Sequence, residues 1–291
     1  MRKSNKAPFI WLAPSLIVLF LITIIPTLFL FYTSSVNWEL GLPWSDRTFV
    51  GLQNYLDIFR DFLFQQAVKR TIVYTVFSVS TEFVFGYIIA SFLSRKSVRW
   101  KGLLIGTLII PMTVTPSIAG LIWRLYFNPN YGIINYFLHF FKIAPDWYSY
   151  SLAMSSVIIV DVWQWTPFVA LILFAGLSAL PSTPFEAALV DGASKLQIMR
   201  YITLPLLKPI ILIAILLRGM DALKMFDVVF SLTGGGPADA TELLSMLVYR
   251  TGFYQTGMIG LASAIAVVLL VVIILISQLF IKILGEKREE V

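Results

Sequence analysis

Six long apolar stretches separated by short polar segments dominate the chain, at residues 8–32, 71–93, 102–127, 152–180, 206–227 and 258–284. Each is at least as long as the roughly 20 residues a helix needs to cross the hydrocarbon core of a bilayer. Backbone groups in lipid must be satisfied within their own segment, so the pattern predicts six transmembrane helices in an all-α, polytopic membrane protein. The first stretch follows Arg2, Lys3 and Lys6, as a secretory signal would. Its apolar length exceeds the roughly 7–15 residues of a signal core and no small-residue cleavage site closes it, so it reads as a retained first helix. No internal repeat, low-complexity tract or soluble domain interrupts the series, and residues 1–291 form one transmembrane domain.

The one amphipathic segment lies after the first span. In "FVGLQNYLDIFRDFLFQQ", Tyr55, Phe59 and Phe62 recur at helical spacing while Asp57, Arg60 and Asp61 fall elsewhere on the wheel. This predicts a helix at the outer interface, either lying in the headgroup region or bracing the spans. Trp38, Trp44, Trp123 and Trp147 sit near outer span ends, where an interfacial aromatic belt is expected.

Composition agrees with the spans: 58% of residues are hydrophobic and 13% charged, against about 45–50% and about 25% in soluble domains. Charge sets the orientation. With the N-terminus inside, Arg2, Lys3, Lys6, Arg95, Lys96, Arg99, Lys101, Lys195, Arg200, Lys208, Lys282, Lys287 and Arg288, 13 of the 22 basic residues, fall on short cytoplasmic segments. Both termini and the segment 181–205 are then cytoplasmic. The net charge of +6 reflects this topology and not affinity for nucleic acid. The chain has no cysteine, so no disulfide, thiol nucleophile or Cys-ligated metal is expected, and its one histidine, His139 in an outer loop, reads as a surface or packing residue and not a metal site. A membrane enzyme, for which a cluster of such groups is expected, is disfavoured.

Between the fourth and fifth spans stands "TPFEAALVDGA", residues 183–193. Thr183 and Glu186 have capping-box spacing with Pro184 between them, and Gly192 is suited to the left-handed residue that ends a helix. About eight residues of helix, roughly 12 Å long, are predicted; so short a helix needs a partner to hold it. Ala187, Ala188 and Ala193 permit close approach, and Phe185 and Leu189 make a narrow apolar face. The chain continues through Pro205 and Pro209 into the fifth span, so a push on the short helix passes to a transmembrane helix. An ordinary connecting loop is the plainer reading of the same caps.

The spacing Glu186-Ala187-Ala188, three residues, Gly192, nine residues, Ile202, one residue, Leu204-Pro205 resembles the cytoplasmic "EAA" loop of permease subunits of binding-protein-dependent ABC importers. Asp191 and Ala193 extend the match; Met199 stands where many members carry an aromatic. "FDVVFSLTGGGPADATELLSMLVYRTGF", "FVGLQNY" and "FIWLAPSLIVLFLITIIPTLF" resemble the carbohydrate-uptake branch, similar to the maltose and glycerol-phosphate transporter permeases. The resemblance implies the type I ABC importer permease fold in a prokaryotic plasma membrane. It also implies a second homologous permease, two ATPase subunits docked on Glu186, Ala187, Ala188, Leu189, Asp191, Gly192 and Ala193, and transmission through Ile202, Leu204 and Pro205. An extracytoplasmic binding protein would deliver a sugar or polyol and touch the turn Gly234, Gly235, Gly236, Pro237. No Gly-Lys-Ser or Gly-Lys-Thr follows those glycines, so ATP and Mg belong to the partner subunits and this chain binds no cofactor. A permease for another solute remains a reading within the family; a secondary transporter working without ATP has no use for the EAA spacing.

Polar groups inside the spans are candidates for the solute path. Four lipid-exposed charges on the fifth span, at roughly 2.5–3.5 kcal/mol each, would be prohibitive, so Arg218, Asp221, Lys224 and Asp227 must face protein or water. Spaced by three, they predict either a neutralising ladder, Arg218 with Asp221 and Lys224 with Asp227, or a polar lining. In "DVWQWTPF", Asp161, Gln164 and Trp165 share a face while Trp163 points elsewhere, and Pro167 can break the fourth span. Glu82, in mid-span, predicts an interhelical hydrogen bond or a place on the same path. Arg124 and Asn128 lie at the outer mouth.

Overall fold

A computed structural model describes residues 7–95 and 97–285. Arg2, Lys3, Lys6, Lys96, Lys287 and Arg288, used above for orientation, lie outside the described residues. The helices are α1 (Ala7–Thr33), α2 (Gln53–Arg60), α3 (Phe62–Leu93), α4 (Lys101–Thr113), α5 (Pro116–Tyr126), α6 (Ile133–His139), α7 (Ala153–Ser178), α8 (Thr183–Val190), α9 (Lys195–Ile198), α10 (Leu204–Leu223), α11 (Asp227–Leu232), α12 (Leu244–Tyr249) and α13 (Ile259–Gly285). Five helical runs, Trp11–Thr33, Phe62–Leu93, Ala153–Ser178, Lys195–Leu223 and Ile259–Ile283, are long and apolar enough to span a membrane; α4 with α5, bent between them, brings the number to six if the pair is counted as one broken span.

Three spans depart from the sequence pattern. The run 102–127 is not one helix: α4 and α5 meet at 93°. Val114 and Thr115 are extended between Pro111 inside α4 and Pro116 at the start of α5, as expected where proline restricts the residue before it and removes a helical donor. Pro167, by contrast, is absorbed within a continuous α7. The second span begins at Phe62 instead of residue 71, and the run ending in α10 begins at Lys195 instead of residue 206.

The described residues fall into two compact units, one of residues up to Gln65 with Leu247–Leu270, the other of Gln66–Met246 with those from Val271 onward. In the first, strands Val36–Asn37 and Thr48–Phe49 pair antiparallel, and the Asn54 side chain donates to the carbonyls of Ser34 and Val36 at 2.9 and 3.0 Å. The buried face of α2 is therefore Asn54 and Ile58. Phe59 and Phe62 are exposed, whereas Tyr55 is half-buried with its hydroxyl 2.6 Å from Ser34 Oγ, so α2 braces the segment through Asn54, Tyr55 and Ile58. Thr33 donates to Ser263 at 2.9 Å, tying α1 to α13.

In the second unit, Tyr74, Phe127, Val157, Val160, Val228 and Leu232 form one buried cluster, and Ala90, Val169, Leu173 and Leu207 a second. Trp123 and Trp147 pack against Phe127 with centroids 5.1 and 4.7 Å apart, and the Trp147 indole donates to Asn135 Oδ1 at 2.7 Å. Both tryptophans are half-buried and pack against the edge of the core cluster. Trp38 and Trp44 stack edge to face on each other, 4.9 Å apart.

Helices α5 and α11 pack closely because Gly120 carries no side chain: a Cβ there would lie 1.9 Å from Ser231 Oγ. Gly120→Val should force them apart at a cost of about 1–3 kcal/mol, seen as a lower melting temperature of the purified chain in detergent. Gly120→Ala combined with Ser231→Ala, which removes the clashing hydroxyl, should lose much less.

Candidate functional site

Three helices bring their mid-span charges to one point. Arg218 of α10 lies 2.7 Å from Glu82 Oε2 of α3 through Nε and pairs through Nη2 with Asp161 Oδ2 of α7. All three side chains are at most 1% exposed. A third contact reaches Asp221 at 3.5 Å. Charges that would each be costly alone compensate one another across spans. The Glu82 contact expected between helices is present, but its partner is the arginine of the supposed ladder.

The ladder itself is half made. Lys224 Nζ lies 3.4 Å from Asp221, not beside Asp227. α10 ends at Leu223 and the backbone turns at Phe226, so Lys224 and Asp227 no longer share the face that three-residue spacing on one helix requires. Asp227 instead opens α11 and accepts a hydrogen bond from Ser117 at 3.2 Å.

Gln164 and Trp165 sit around this cluster in different roles. Gln164 Nε2 donates to the Val114 carbonyl at 2.6 Å. That carbonyl has lost its helical partner at the α4–α5 bend, and irregular backbone at membrane depth is tolerated only where such partners exist. Trp165 lays its ring 5.5 Å from the Arg218 guanidinium carbon, a cation–π arrangement. Trp163 turns away onto Trp123, 5.5 Å between centroids. The side-chain oxygens of Tyr74, Ser78 and Thr166, the Gln164 carbonyl oxygen and the Trp165 indole nitrogen are buried without a hydrogen-bond partner, so the interior near the cluster remains polar. Arg218 as the hub, and Val114 as the acceptor for Gln164, were missed by the reading of the sequence. The available signals were the lone acids Glu82 and Asp161 in two spans facing one arginine in a third, and the prolines around Val114.

The segment after α7 is a second site. α8 spans Thr183–Val190 with Ser182 as its N-cap and no side-chain cap bond. The capping box expected from Thr183 and Glu186 is absent because Thr183 is already helical. A capping box does form one step on, where the Gln197 backbone N–H donates to Ser194 Oγ and the Ser194 N–H to Gln197 Oε1, at 3.3 and 2.7 Å; the pattern S-x-x-Q was legible in the sequence. Gly192 takes φ +73°, with Gly192 N–H on Leu189 O and Ala193 N–H on Ala188 O, the paired bonds of a Schellman ending. Ala188 is buried and Ala193 half-buried; Glu186, Ala187, Asp191 and Gly192 are exposed. Leu189, Val190 and Tyr201 are 66%, 88% and 70% exposed, so Phe185 and Leu189 do not bury a common face. A π-helical turn, Met199–Thr203, leads into α10. Ile202 and Leu204 are half-buried and Pro205 exposed. Pro205 has no N–H for an α-helical bond to Tyr201, and the Leu204 N–H reaches back five residues to Met199 O.

The glycine turn is a third. Gly234 and Gly235 have positive φ, the Gly236–Pro237 peptide is cis, and Thr241 Oγ1 donates to Gly236 O at 3.0 Å. Beside it lies a cavity of about 660 Å³ bordered by Arg124, Asn128, Tyr131, Tyr148, Thr233 and Pro237. Tyr148 Oη donates to the Arg124 carbonyl at 2.6 Å. Partial burial raises its hydroxyl pKa, although Arg124 pulls the other way, so it stays a donor at neutral pH. Arg124 and Asn128 thus meet the turn that the sequence placed far from them.

The protein-family match follows the same ground: residues 82–290 match the binding-protein-dependent transport system inner membrane component family, and the chain belongs to it. It is 35% identical to a trehalose/maltose transport system permease of Thermococcus litoralis, covering 99% of this chain and 96% of that one. It is 38% identical to a probable ABC transporter permease of Sinorhizobium fredii (95% and 89% covered) and 33% identical to a sulfoquinovosyl glycerol transport system permease of Agrobacterium fabrum (95% and 89%). Among solved structures, a chain of a bacterial ABC transporter importing alginate superposes with TM-score 0.81 at 19% identity, covering 98% of this chain and 96% of that one. The fold is that of the type I importer permeases.

Arg218→Met keeps the stem and deletes the charge, leaving two buried carboxylates uncompensated. It should cost about 3–5 kcal/mol, measured as lost folded protein after detergent extraction. Replacing the whole cluster, Glu82→Met with Asp161→Leu and Arg218→Met, should restore most of the yield.

Proposed function

We propose that this chain is the membrane-spanning subunit of an ATP-driven importer, forming with a second homologous permease the path for a sugar or polyol delivered by an extracytoplasmic binding protein. Both termini and α8 face the cytoplasm, where two ATPase subunits bind ATP and Mg and dock on the α8 segment. This chain holds no nucleotide and performs no hydrolysis.

One observation carries the mechanism. α8 presents Leu189 and Val190 outward and connects through a capped turn to a single helical run, Lys195–Leu223, which contains the π-helical turn. That run ends on the Arg218 cluster. A displacement imposed on α8 reaches the charged interior through the four-residue connection 191–194 and then along a helix. The family match supports the importer assignment, and the names of the relatives support a carbohydrate solute. Asp161, Gln164, Trp165, Glu82 and Asp221 border the path; Lys224 and Asp227 stand at its outer end. The Gly234–Pro237 turn and its cavity receive the binding protein.

Two experiments test this reading. Gly192→Val places a β-branched residue at φ +73°, which costs about 1–2 kcal/mol locally. ATP-dependent uptake should fall at least about tenfold, at normal membrane abundance, while Gly192→Asn retains most of it; unimpaired uptake by the valine variant would remove the coupling role. For the solute, the reconstituted complex with its purified binding protein should show ATPase stimulation by a sugar or polyol. Failure of every such compound, with stimulation by another solute, would overturn the carbohydrate assignment alone.

A further inference from the structure

Where α3 ends and α4 begins, Ile88, Ile89, Phe92 and Leu93 face Leu104 and Leu108 across a groove of about 400 Å³. The wall is aliphatic and aromatic, and Arg95 closes one end, its guanidinium 5.9 Å from the Phe92 ring. From Ile88 to Arg95 the helical rise covers about 10 Å, which fits within one leaflet of a core about 30 Å thick.

Arg95 borders this groove, and the connection from α3 into α4 that it opens is strongly basic. Arg99 and Lys101 follow Arg95 within the turn, and Trp100 between them is 78% exposed. None of the three cations forms an ion pair among the described residues. The reason is compositional, because the chain has no Asp or Glu between Glu82 and Asp146. Whatever neutralises these charges comes from outside this stretch of the protein.

We propose that the groove binds an anionic phospholipid, one acyl chain lying along Ile88, Ile89, Phe92, Leu104 and Leu108, and the phosphate meeting Arg95, Arg99 and Lys101. Basic residues beside a membrane helix attract anionic headgroups, and an exposed tryptophan settles at headgroup level. An uncharged or zwitterionic lipid fills the groove without matching the charge. An acidic protein surface matches the charge without filling an apolar furrow that runs into the hydrocarbon region. Only a molecule with both parts meets the whole site, and this holds whatever solute the importer carries.

The test uses the complete importer, extracted from bilayers of equal phosphatidylglycerol and phosphatidylethanolamine, with retained lipids counted by native mass spectrometry. Phosphatidylglycerol should be retained preferentially. The triple variant Arg95→Gln, Arg99→Gln, Lys101→Gln should lower that preference about a hundredfold, at about fivefold per basic side chain. Because loss of these charges also bears on topology, Leu104→Trp serves as the second variant: it keeps every charge, fills the groove and should abolish the preference as well. Inorganic phosphate should not displace the lipid from the unaltered protein. Equal retention of the two lipids, an unchanged preference in either variant, or displacement by phosphate alone would overturn the proposal. So would a preference that the permease pair shows without its ATPase subunits and the complete importer lacks, since the cations would then belong to a protein interface.

Discussion

Arg218 is held inside an apolar protein by two acids from two other helices, and much of the second unit is organised to keep that contact. The guanidinium cannot leave Glu82 and Asp161 without exposing a charge to a low-dielectric interior, and neither acid can leave it. α3, α7 and α10 are therefore bound at mid-span by something stiffer and more directional than side-chain packing. The need is acute in a membrane, where lipid tails compete with side chains for apolar contact and burial alone drives helices together only weakly. The Trp165 ring over the guanidinium and the aliphatic cluster around Leu173 and Leu207 add packing on either side of this polar joint.

The same polar joint adjoins the 93° bend between α4 and α5. Asp161 and Gln164 are one turn apart on α7; the first holds α10 and the second satisfies the Val114 carbonyl at the α4–α5 bend. One helix face thus fixes a neighbouring helix and stabilises an irregular backbone that could not exist against lipid. The bend in turn carries α5 against α11, where Gly120 and Ser231 allow close contact and where the chain passes to the glycine turn.

What the sequence revealed was what local rules govern. The existence of the apolar runs, the glycine-ended helix at 183–190 and the spacing from Glu186 to Pro205 depend on residues near one another in the chain, and these were legible. The cost of Glu82, Asp161 and Arg218 was legible too, because an isolated charge in an apolar run is conspicuous. Their pairing was not, since nothing in a single span says which face meets which neighbour. The expected Lys224–Asp227 contact failed for a related reason: three-residue spacing argues for a pair only if the helix continues, and α10 stops at Leu223. The packing of Trp123 and Trp147 on Phe127 was not legible either, because their chain positions near span ends do not say which ring they meet.

The π-helical turn Met199–Thr203 fixes an angle as well as a connection. Inserting one residue into a helix advances everything beyond it by about 100° relative to what precedes it. Arg218 stands fifteen residues past Thr203, about 22 Å along the rod, and points at Glu82 and Asp161 only because that advance is built in. The phase between the end of the run that follows α8 and its charged end is thus set in five residues, Met199 to Thr203. A regular helix of the same composition would present Arg218 to a different side of the molecule.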